Sequence, residues 1–235
     1  MTKTLWLITA RGGSKGVVGK NLKKIGGLSL IEWKILAARA ADPAAHIVCS
    51  SDSLDILAHA AFLGAKCIQR PDALATDTAR SVDVIKHALD VCPEKYDQVC
   101  LLEPSAPYTT GAQYRRALDM MVENDADLIV GMRETSPHTA FVGDVRDDLS
   151  VTPVIIQFQR ETMRHRQAYP KQWSMSGSLY LFRTDMFCRT TDVYGGVRNY
   201  GLLCDKWTGL EIDTLDDLEL AEYAFAKGYV QPETT

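Results

Sequence analysis

The feature that most constrains the fold is an alternation of short apolar runs with stretches long enough to form helices. The apolar or β-branched runs are Thr4–Thr9, His46–Ser50, Lys66–Gln69, Gln98–Leu102 and Leu128–Met132. The intervening stretches Leu30–Ala41, Leu54–Leu63 and Thr110–Glu123 carry apolar residues at helical spacing. Because strands that alternate with helices pair into parallel sheets, the first two thirds of the chain predicts a doubly wound α/β layer.

This alternation stops between residues 133 and 175. The segment is polar, contains three prolines and includes the basic cluster Arg160–Arg166. Such composition is typical of irregular structure, so we expect an arm inserted within a single domain that spans residues 1–235. Regular structure resumes with a predicted strand at Ser178–Phe182, and the capping-box pattern Thr214–Asp217 predicts a final helix.

Composition excludes several function classes. The net charge of −4 gives no basic excess for nucleic acid, and no apolar run approaches the ~20 residues of a membrane span. The N-terminal residues lack the layout of a signal peptide, so we expect a cytoplasmic protein. The six cysteines are scattered without a C-x-x-C pair, which favours buried reduced thiols over zinc binding or a disulfide framework.

A run rich in glycine and lysine, Ala10–Asn21, follows the first predicted strand and has the composition of a phosphate-binding loop. The P-loop pattern fails at both ends, because Ser14 replaces its first glycine and Asn21 replaces its metal-binding hydroxyl residue. The dinucleotide fingerprint fails because it requires glycine at Lys15. Two interpretations remain from the loop alone: a nucleotidyltransferase loop, or a surface loop whose glycines only make turns.

Five motifs, taken in order along the chain, resemble the acylneuraminate cytidylyltransferases, which are CMP-sialic acid synthetases related to the CMP-Kdo synthetases. The motifs are Ala10–Gly16 with Lys20 and Asn21, Arg70–Thr78 with Ser81, Leu101–Pro107, Gly177–Tyr180 and Glu211–Leu218. The likeness covers nearly the whole chain. It implies a Rossmann-like nucleotide-binding sheet, a homodimer with a dimerisation or lid arm, and transfer of CMP from CTP to a 2-keto sugar acid with release of pyrophosphate.

The resemblance also implies a nucleotide site. Its nucleotide-binding residues would be Arg11, Gly13, Ser14, Lys15, Lys20, Asn21, Arg70 and Ser81. Among these, the cations of the loop would line the triphosphate, while Asn21, Arg70 and Ser81 would hold the nucleoside. Charge that builds on the α-phosphate must be met by fixed cations, so Lys20 and Arg11 are the predicted catalytic residues.

The resemblance places an acceptor site and a metal site on later motifs. The acceptor-binding residues would be Glu103, Ser105, Arg166, Gln167, Ser176 and Tyr180. Glu211 and Asp213, which are two residues apart on an expected strand, would point to one side and bind Mg²⁺, with Mn²⁺ as the alternative.

The chain departs from the family pattern on the acceptor side. Glu103 replaces a frequent glutamine, and Ser174 and Ser176 replace an arginine and an asparagine. At the metal site, Glu211 replaces the usual aspartate, which leaves the number of metal ions open. Two alternatives therefore stay open beside a sialic-acid-like or Kdo-like acceptor. One is a CTP-dependent transferase for a different, smaller acid, and the other is a nucleotide-binding module that has lost turnover.

Overall fold

The computed structural model describes residues 2–135, 139, 142–150 and 170–234. Seven of its strands form one sheet, and a separate small hairpin pairs β2 (Lys24–Ile25) with β3 (Leu28–Ser29). The strands of the sheet are β1 (Thr4–Thr9), β4 (His46–Ser51), β5 (Lys66–Gln69), β6 (Gln98–Leu101), β7 (Leu128–Glu134), β8 (Trp173–Arg183) and β9 (Asn199–Cys204). The helices are α1 (Leu30–Ala41), α2 (Leu54–Phe62), α3 (Ser81–Val91), α4 (Gly111–Glu123), α5 (Thr184–Thr190) and α6 (Leu215–Ala226).

The strand order is β5-β4-β1-β6-β8-β7-β9. Pairing is parallel except at β8, which runs antiparallel to both β6 and β7. The prediction of a doubly wound, mostly parallel sheet is therefore confirmed. The sequence pattern did not predict β9 or α5.

Two apolar layers cover the two faces of the sheet, as the alternation of side chains along β1 requires. Trp6 and Ile8 pack on the face covered by α1, α2 and α4, while Leu5 and Leu7 pack on the opposite face with Ile85 of α3. A third apolar cluster joins α6 to the hairpin and to the start of α1. The sheet is thus held rigidly from both sides, and the loops at its ends are free to carry a site.

Helix starts follow the predicted capping chemistry. Thr214 accepts from the backbone N–H of Asp217 and the Asp217 carboxylate accepts from the backbone N–H of Thr214, which is the predicted capping box of α6. Reciprocal boxes also begin α1 at Ser29 and α4 at Thr110. Among the described residues, each helix is too short or too polar to cross a bilayer.

The ends of the predicted arm belong to the sheet. β7 continues to Glu134 and β8 begins at Trp173, so both ends of the predicted arm at residues 133–175 are strands instead. The backbone N–H of Thr135 donates to the carbonyl of Gln172, which continues the pairing by one step. The basic cluster at Arg160–Arg166 lies outside the described residues.

Candidate active site

The predicted motifs converge at the carboxyl edge of the sheet, where the strand order reverses. The chain runs outward from β1 to β4 and β5, and then returns to β6 on the other side of β1. A crevice opens at such a switch point because the loops after the two neighbouring strands leave in opposite directions. Thr9, at the end of β1, donates its hydroxyl to Oε1 of Glu103, just beyond β6, at 3.2 Å.

Three cavities meet at Glu103. The loop cavity, of about 260 Å³, is lined by Arg11, Ser14, Lys15, Lys20, Asn21 and Asp213 among others. The Arg70 cavity, of about 250 Å³, is lined by Arg70, Leu74, Asp77, Ser81 and Val84 among others. The Tyr180 cavity, of about 380 Å³, is lined by Ser81, Ser105, Gly177, Tyr180, Tyr194 and Glu211 among others. Because Glu103 lines all three, molecules in different cavities can touch at this residue.

At the outer end of the loop cavity, the side chains of Arg11 and Lys15 both pair with the carboxylate of Asp77. Nη1 of Arg11 donates to Oδ1 of Asp77 at 2.6 Å, and Nζ of Lys15 lies 2.6 Å from Oδ2 of the same side chain. Hydrogen bonds from Lys15 and Arg11 hold the pKa of the Asp77 carboxyl below its usual value. Arg11 and Lys15 are therefore oriented together by an acid that the sequence analysis did not single out.

The inner part of the loop cavity is organised around Lys20. Its Nζ donates to the carbonyl of Ile212 at 2.6 Å and to Oδ1 of Asp213 at 3.0 Å. Only 15% of the Lys20 side chain is exposed, whereas 77% of the Lys15 side chain is. Of the two lysines in this cavity, Lys20 is therefore the one whose position the fold fixes more firmly.

The loop that carries these cations packs closely on the segment before α6. A Cβ added at Gly16 would lie 1.9 Å from the carbonyl oxygen of Asp213, so only glycine fits there. Asn21 is buried and donates its side-chain amide to the carbonyl of Arg11 at 2.9 Å, which ties the two ends of the loop together. Asn21 and Ser14 line the cavity, but Gly13 does not line it and has open space where a side chain would be.

The Arg70 cavity brings together the other two predicted nucleotide-binding residues. Arg70 is buried and donates from Nη2 to the carbonyl of Ser50 at 2.7 Å, so its guanidinium is fixed against β4. Ser81 is the first residue of α3 and lines both this cavity and the Tyr180 cavity. Arg11 lines the loop cavity and the Arg70 cavity, which connects the two.

The Tyr180 cavity gathers three of the predicted acceptor-binding residues, Glu103, Ser105 and Tyr180. The rings of Tyr180 and Tyr194 meet edge to face, with centroids 6.3 Å apart. Burial raises the pKa of the Tyr180 hydroxyl, so it remains a hydrogen-bond donor at neutral pH. This cavity combines aromatic surface with carboxylates, which differs from the cationic lining of the loop cavity.

Of the predicted acceptor-binding residues that the structure describes, one is not brought to this cavity. Ser176 does not line it: the residue is only 1% exposed, and its hydroxyl lies 2.6 Å from that of Ser178 inside the sheet. The serine that stands in place of the family asparagine is therefore part of the core. Arg166 and Gln167 lie outside the described residues, so their predicted roles stay predictions.

The predicted geometry of the two metal-binding acids needs correction. Residues 210–213 form a loop between β9 and α6 rather than a strand, although the backbone N–H of buried Ile212 donates to the carbonyl of Ser105. Glu211 lines the Tyr180 cavity, close to Gly177, whereas Asp213 lines the loop cavity beside Lys20. The two carboxylates therefore face different cavities.

Glu103 has an unusual electrostatic environment. Burial raises the pKa of its carboxyl, while the hydrogen bond from Thr9 and the positive charges of Lys34, Arg70 and Lys20 oppose that rise. The counter-charges come from α1, from the loop after β5 and from the glycine-rich loop. These three charges explain how a carboxylate is tolerated in the position of the family glutamine.

A larger cavity, of about 820 Å³, lies at the opposite edge of the sheet. Its lining includes the start of β1 at Thr4, the start of β6 at Gln98 and the end of β8 at Arg183. None of the five sequence motifs contributes to it. Described residues of the motifs instead line the smaller cavities at the carboxyl edge.

The chain is similar to several known proteins along nearly its whole length. A family model described as "Cytidylyltransferase" matches residues 5–222. The chain is 29% identical over 239 residues to post-translational flagellin modification protein B of Campylobacter coli, covering 98% of each chain. It is 30% identical over 242 residues to CMP-N,N'-diacetyllegionaminic acid synthase of Campylobacter jejuni, covering 99% of each.

A solved structure extends the comparison to the fold. A CMP:2-keto-3-deoxy-manno-octonic acid synthetase complexed with CTP matches with a TM-score of 0.68 at 18% identity, over 97% of this chain and 100% of the other. At that identity the likeness shows the fold alone. Together these matches confirm the predicted Rossmann-like fold, the predicted resemblance and the predicted enzyme class, a CTP-dependent nucleotidyltransferase.

Proposed function

The chain belongs to the cytidylyltransferase family, and from this membership we propose that it transfers CMP from CTP to a 2-keto sugar acid and releases pyrophosphate. The acceptor class follows the relatives, one of which is named for N,N'-diacetyllegionaminic acid. The acceptor is thus a legionaminic-, sialic- or Kdo-type acid.

The observation that carries the proposal is the junction of the three cavities at Glu103. The loop cavity offers Arg11, Lys15 and Lys20 for a triphosphate, and the connected Arg70 cavity has room for a nucleoside. The Tyr180 cavity, which shares Glu103 and Ser105 with the loop cavity, is the remaining space for an acceptor. Two substrates bound in this way meet at the switch point of the sheet.

The proposed reaction is an in-line displacement at the α-phosphorus of CTP. A hydroxyl oxygen of the acceptor forms the new P–O bond and loses its proton to water, the bond to the bridging oxygen breaks, and pyrophosphate leaves with the electron pair of that bond. Charge grows on the α-phosphate oxygens during this step, and prearranged cations stabilise it without reorganising. Lys20 suits that task because the carbonyl of Ile212 and the carboxylate of Asp213 already hold its ammonium in place.

We propose Asp213 as the principal protein ligand of Mg²⁺. Its carboxylate is a hard oxygen donor that lines the loop cavity, and 70% of its side chain is exposed to incoming ligands. Within the described part of the chain, no group of three or more His, Cys, Asp or Glu side chains is arranged to hold a metal. That arrangement fits Mg²⁺, which usually keeps several waters and takes one or two carboxylates plus substrate phosphates. When bound, the ion neutralises phosphate charge.

A homodimer remains part of the proposal, because the sequence resemblance led to it, and a cytoplasmic location stays a prediction. Exposed apolar side chains beside the edge strand β9 support an intermolecular contact. Leu203 on β9 and Met175 on β8 both align with Met132 of β7 and so lie in one row across the sheet. Light scattering of the purified protein tests the dimer, and a monomeric mass at all concentrations would contradict it.

Pyrophosphate release from the purified protein tests the function. The assay combines each of CTP, ATP, GTP and UTP with Mg²⁺ and each of N,N'-diacetyllegionaminic acid, N-acetylneuraminic acid and Kdo. We expect release with CTP and at least one acid, together with a CMP-sugar of the matching mass. Equal turnover with ATP would contradict the cytidine assignment. CTP binding without release from any acid would favour a module that has lost turnover.

A further inference from the structure

Lys34 is a charged residue buried in the middle of the molecule, on helix α1. Its exposed fraction is 0%, and it is the third largest among the fully buried side chains. Burial of an ammonium group is costly unless hydrogen bonds and opposite charges compensate for it. The contacts of Lys34 therefore indicate what this lysine stabilises.

All of its hydrogen bonds go to segments next to the active site. Its Nζ donates to the carbonyl of Ala106 at 2.9 Å, to the hydroxyl of Thr109 at 2.9 Å and, over a longer distance of 3.4 Å, to the carbonyl of Ser178. The ammonium also lies 5.0 Å from the ring centroid of Tyr114. One side chain of α1 thus joins the segment after β6 to strand β8.

The bond to Ala106 anchors a turn on which both substrate cavities depend. The turn closes by a hydrogen bond from the N–H of Ala106 to the carbonyl of Glu103 at 3.0 Å. Ser105 precedes Ala106 in that turn, and its carbonyl accepts from the N–H of Ile212 at 2.7 Å. The carbonyl of Ile212 in turn accepts from Lys20. A continuous set of hydrogen bonds therefore runs from Lys34 through the turn to Lys20.

Lys34 also interacts electrostatically with Glu103. Burial lowers the pKa of its ammonium to about 7, while Cys100, Glu103 and Cys204 oppose that change. Of these, Glu103 is the carboxylate, and Lys34 in turn opposes the rise in the pKa of its carboxyl. The ammonium also faces the hydroxyl of Thr109, the ring of Tyr114, and the carbonyls of Ala106 and Ser178.

We propose that Lys34 is a positioning residue of the transfer reaction, which holds the turn at residues 103–106 and supplies the buried counter-charge for Glu103. It touches neither substrate and acts through Glu103 and the segment at residues 211–213. The proposal rests on the function proposed above, because it assigns Glu103 to the junction where CTP and the acceptor meet.

Hydrogen exchange tests the positioning step without any acceptor. Lys34→Met keeps a side chain of similar length but removes the charge and the three hydrogen bonds. We expect about tenfold faster exchange at the amides of Ala106 and Ile212, because local opening becomes easier. The amide of Leu102, which bonds to the carbonyl of Leu7 within the sheet, should be unchanged. Unchanged protection at Ala106 and Ile212 would overturn the proposal.

A double-mutant cycle with Glu103→Gln tests the role of the charge. With the best acid of the panel, Lys34→Met should lower kcat/KM for the acceptor about tenfold and leave the KM for CTP within about twofold. In the Glu103→Gln background the same change should cost no more than about threefold, because the glutamine needs no counter-charge. Equal losses of kcat/KM in both backgrounds would show that Lys34 does not act as the counter-charge of Glu103. Lys24→Met, at an exposed lysine of the hairpin, is the matched control.

The role of Lys34 can still be tested if the acids are not turned over or if Lys34→Met does not fold. If no acid of the panel is turned over, the proposed function fails, whereas the exchange experiment still decides whether Lys34 holds the turn. If Lys34→Met does not fold, Thr109→Val takes its place, since it removes one acceptor of the ammonium and keeps the charge. We then expect about threefold faster exchange at Ala106, and unchanged exchange there would count against the proposal.

Discussion

The loop cavity and the Tyr180 cavity share a wall but have opposite chemical character. In the loop cavity, three cations are each already paired with a carboxylate, Arg11 and Lys15 with Asp77 and Lys20 with Asp213. The Tyr180 cavity instead presents the carboxylates of Glu103, Asp192 and Glu211 beside aromatic rings, and no lysine or arginine is among its described lining residues.

This difference separates two tasks. A triphosphate is the same in every reaction of this type, so a fixed set of cations can be preorganised for it by nearby acids. The acceptor varies between related enzymes, so its cavity is where substitutions change specificity. The departure at Glu211 lies in the second cavity, and the departure at Glu103 lies where the two cavities meet. Substitutions at Asp213 and Lys20 act on the loop cavity, whereas a substitution at Glu103 acts at the wall that both cavities share.

The largest effect is expected at Asp213. Asp213→Asn removes the proposed metal ligand and also the partner of Lys20, so Mg²⁺-supported kcat should fall about a thousandfold or more. Asp216→Asn, an exposed acid at the start of α6, is the control and should retain activity. Glu211→Asp, which restores the usual family residue, should also stay active. Full activity of Asp213→Asn at saturating Mg²⁺ would remove the metal assignment.

The next effect is expected at Lys20. Lys20→Ala should lower kcat by about two to three powers of ten and weaken CTP binding much less, because its ammonium meets charge that grows in the transition state. Single-turnover kinetics and calorimetric CTP titration separate the two quantities, and exposed Lys23→Ala is the matched control. A loss of affinity with unchanged rate at saturation would make Lys20 only a ground-state phosphate ligand.

A smaller effect of opposite sign is expected at Asp77. This acid competes with the triphosphate for Arg11 and Lys15, so Asp77→Asn should tighten CTP binding, by about fivefold at low salt and less at high salt. The control is Asp72→Asn, an exposed acid of the same loop that lines none of the three cavities. Weaker binding in Asp77→Asn would show instead that the carboxylate takes part in holding the nucleotide.

The sequence predicted the loop cavity well because most of its residues are neighbours in the chain. Strand β1, the glycine-rich loop and helix α1 follow one another, and local patterns report local structure. It did not reveal Asp77 as the partner of Arg11, although the residue lies inside a quoted motif, because their pairing joins positions 66 residues apart. The motif holds one cation, Arg70, and two acids, Asp72 and Asp77, so its composition did not single out either acid.

The Tyr180 cavity was predicted less completely because it is assembled from distant segments. Glu211 and Asp213 were expected side by side on a strand, but the loop at residues 210–213 turns them toward different cavities. Ser176 follows the alternation of β8 into the core, and the alternation alone could not say which face was the site. Lys34 gave no signal, since a lysine at a helical core spacing resembles an interruption of the apolar face.

The most direct test of the junction at Glu103 compares the two substrates in Glu103→Gln. The glutamine keeps the size and one acceptor oxygen of the side chain but removes the charge that faces an anionic acid. We predict that the ratio of kcat/KM for N-acetylneuraminic acid to that for N,N'-diacetyllegionaminic acid rises about threefold, while the KM for CTP stays the same. An unchanged acceptor ratio with an altered KM for CTP would contradict the account, because Glu103 would then belong to the nucleotide alone.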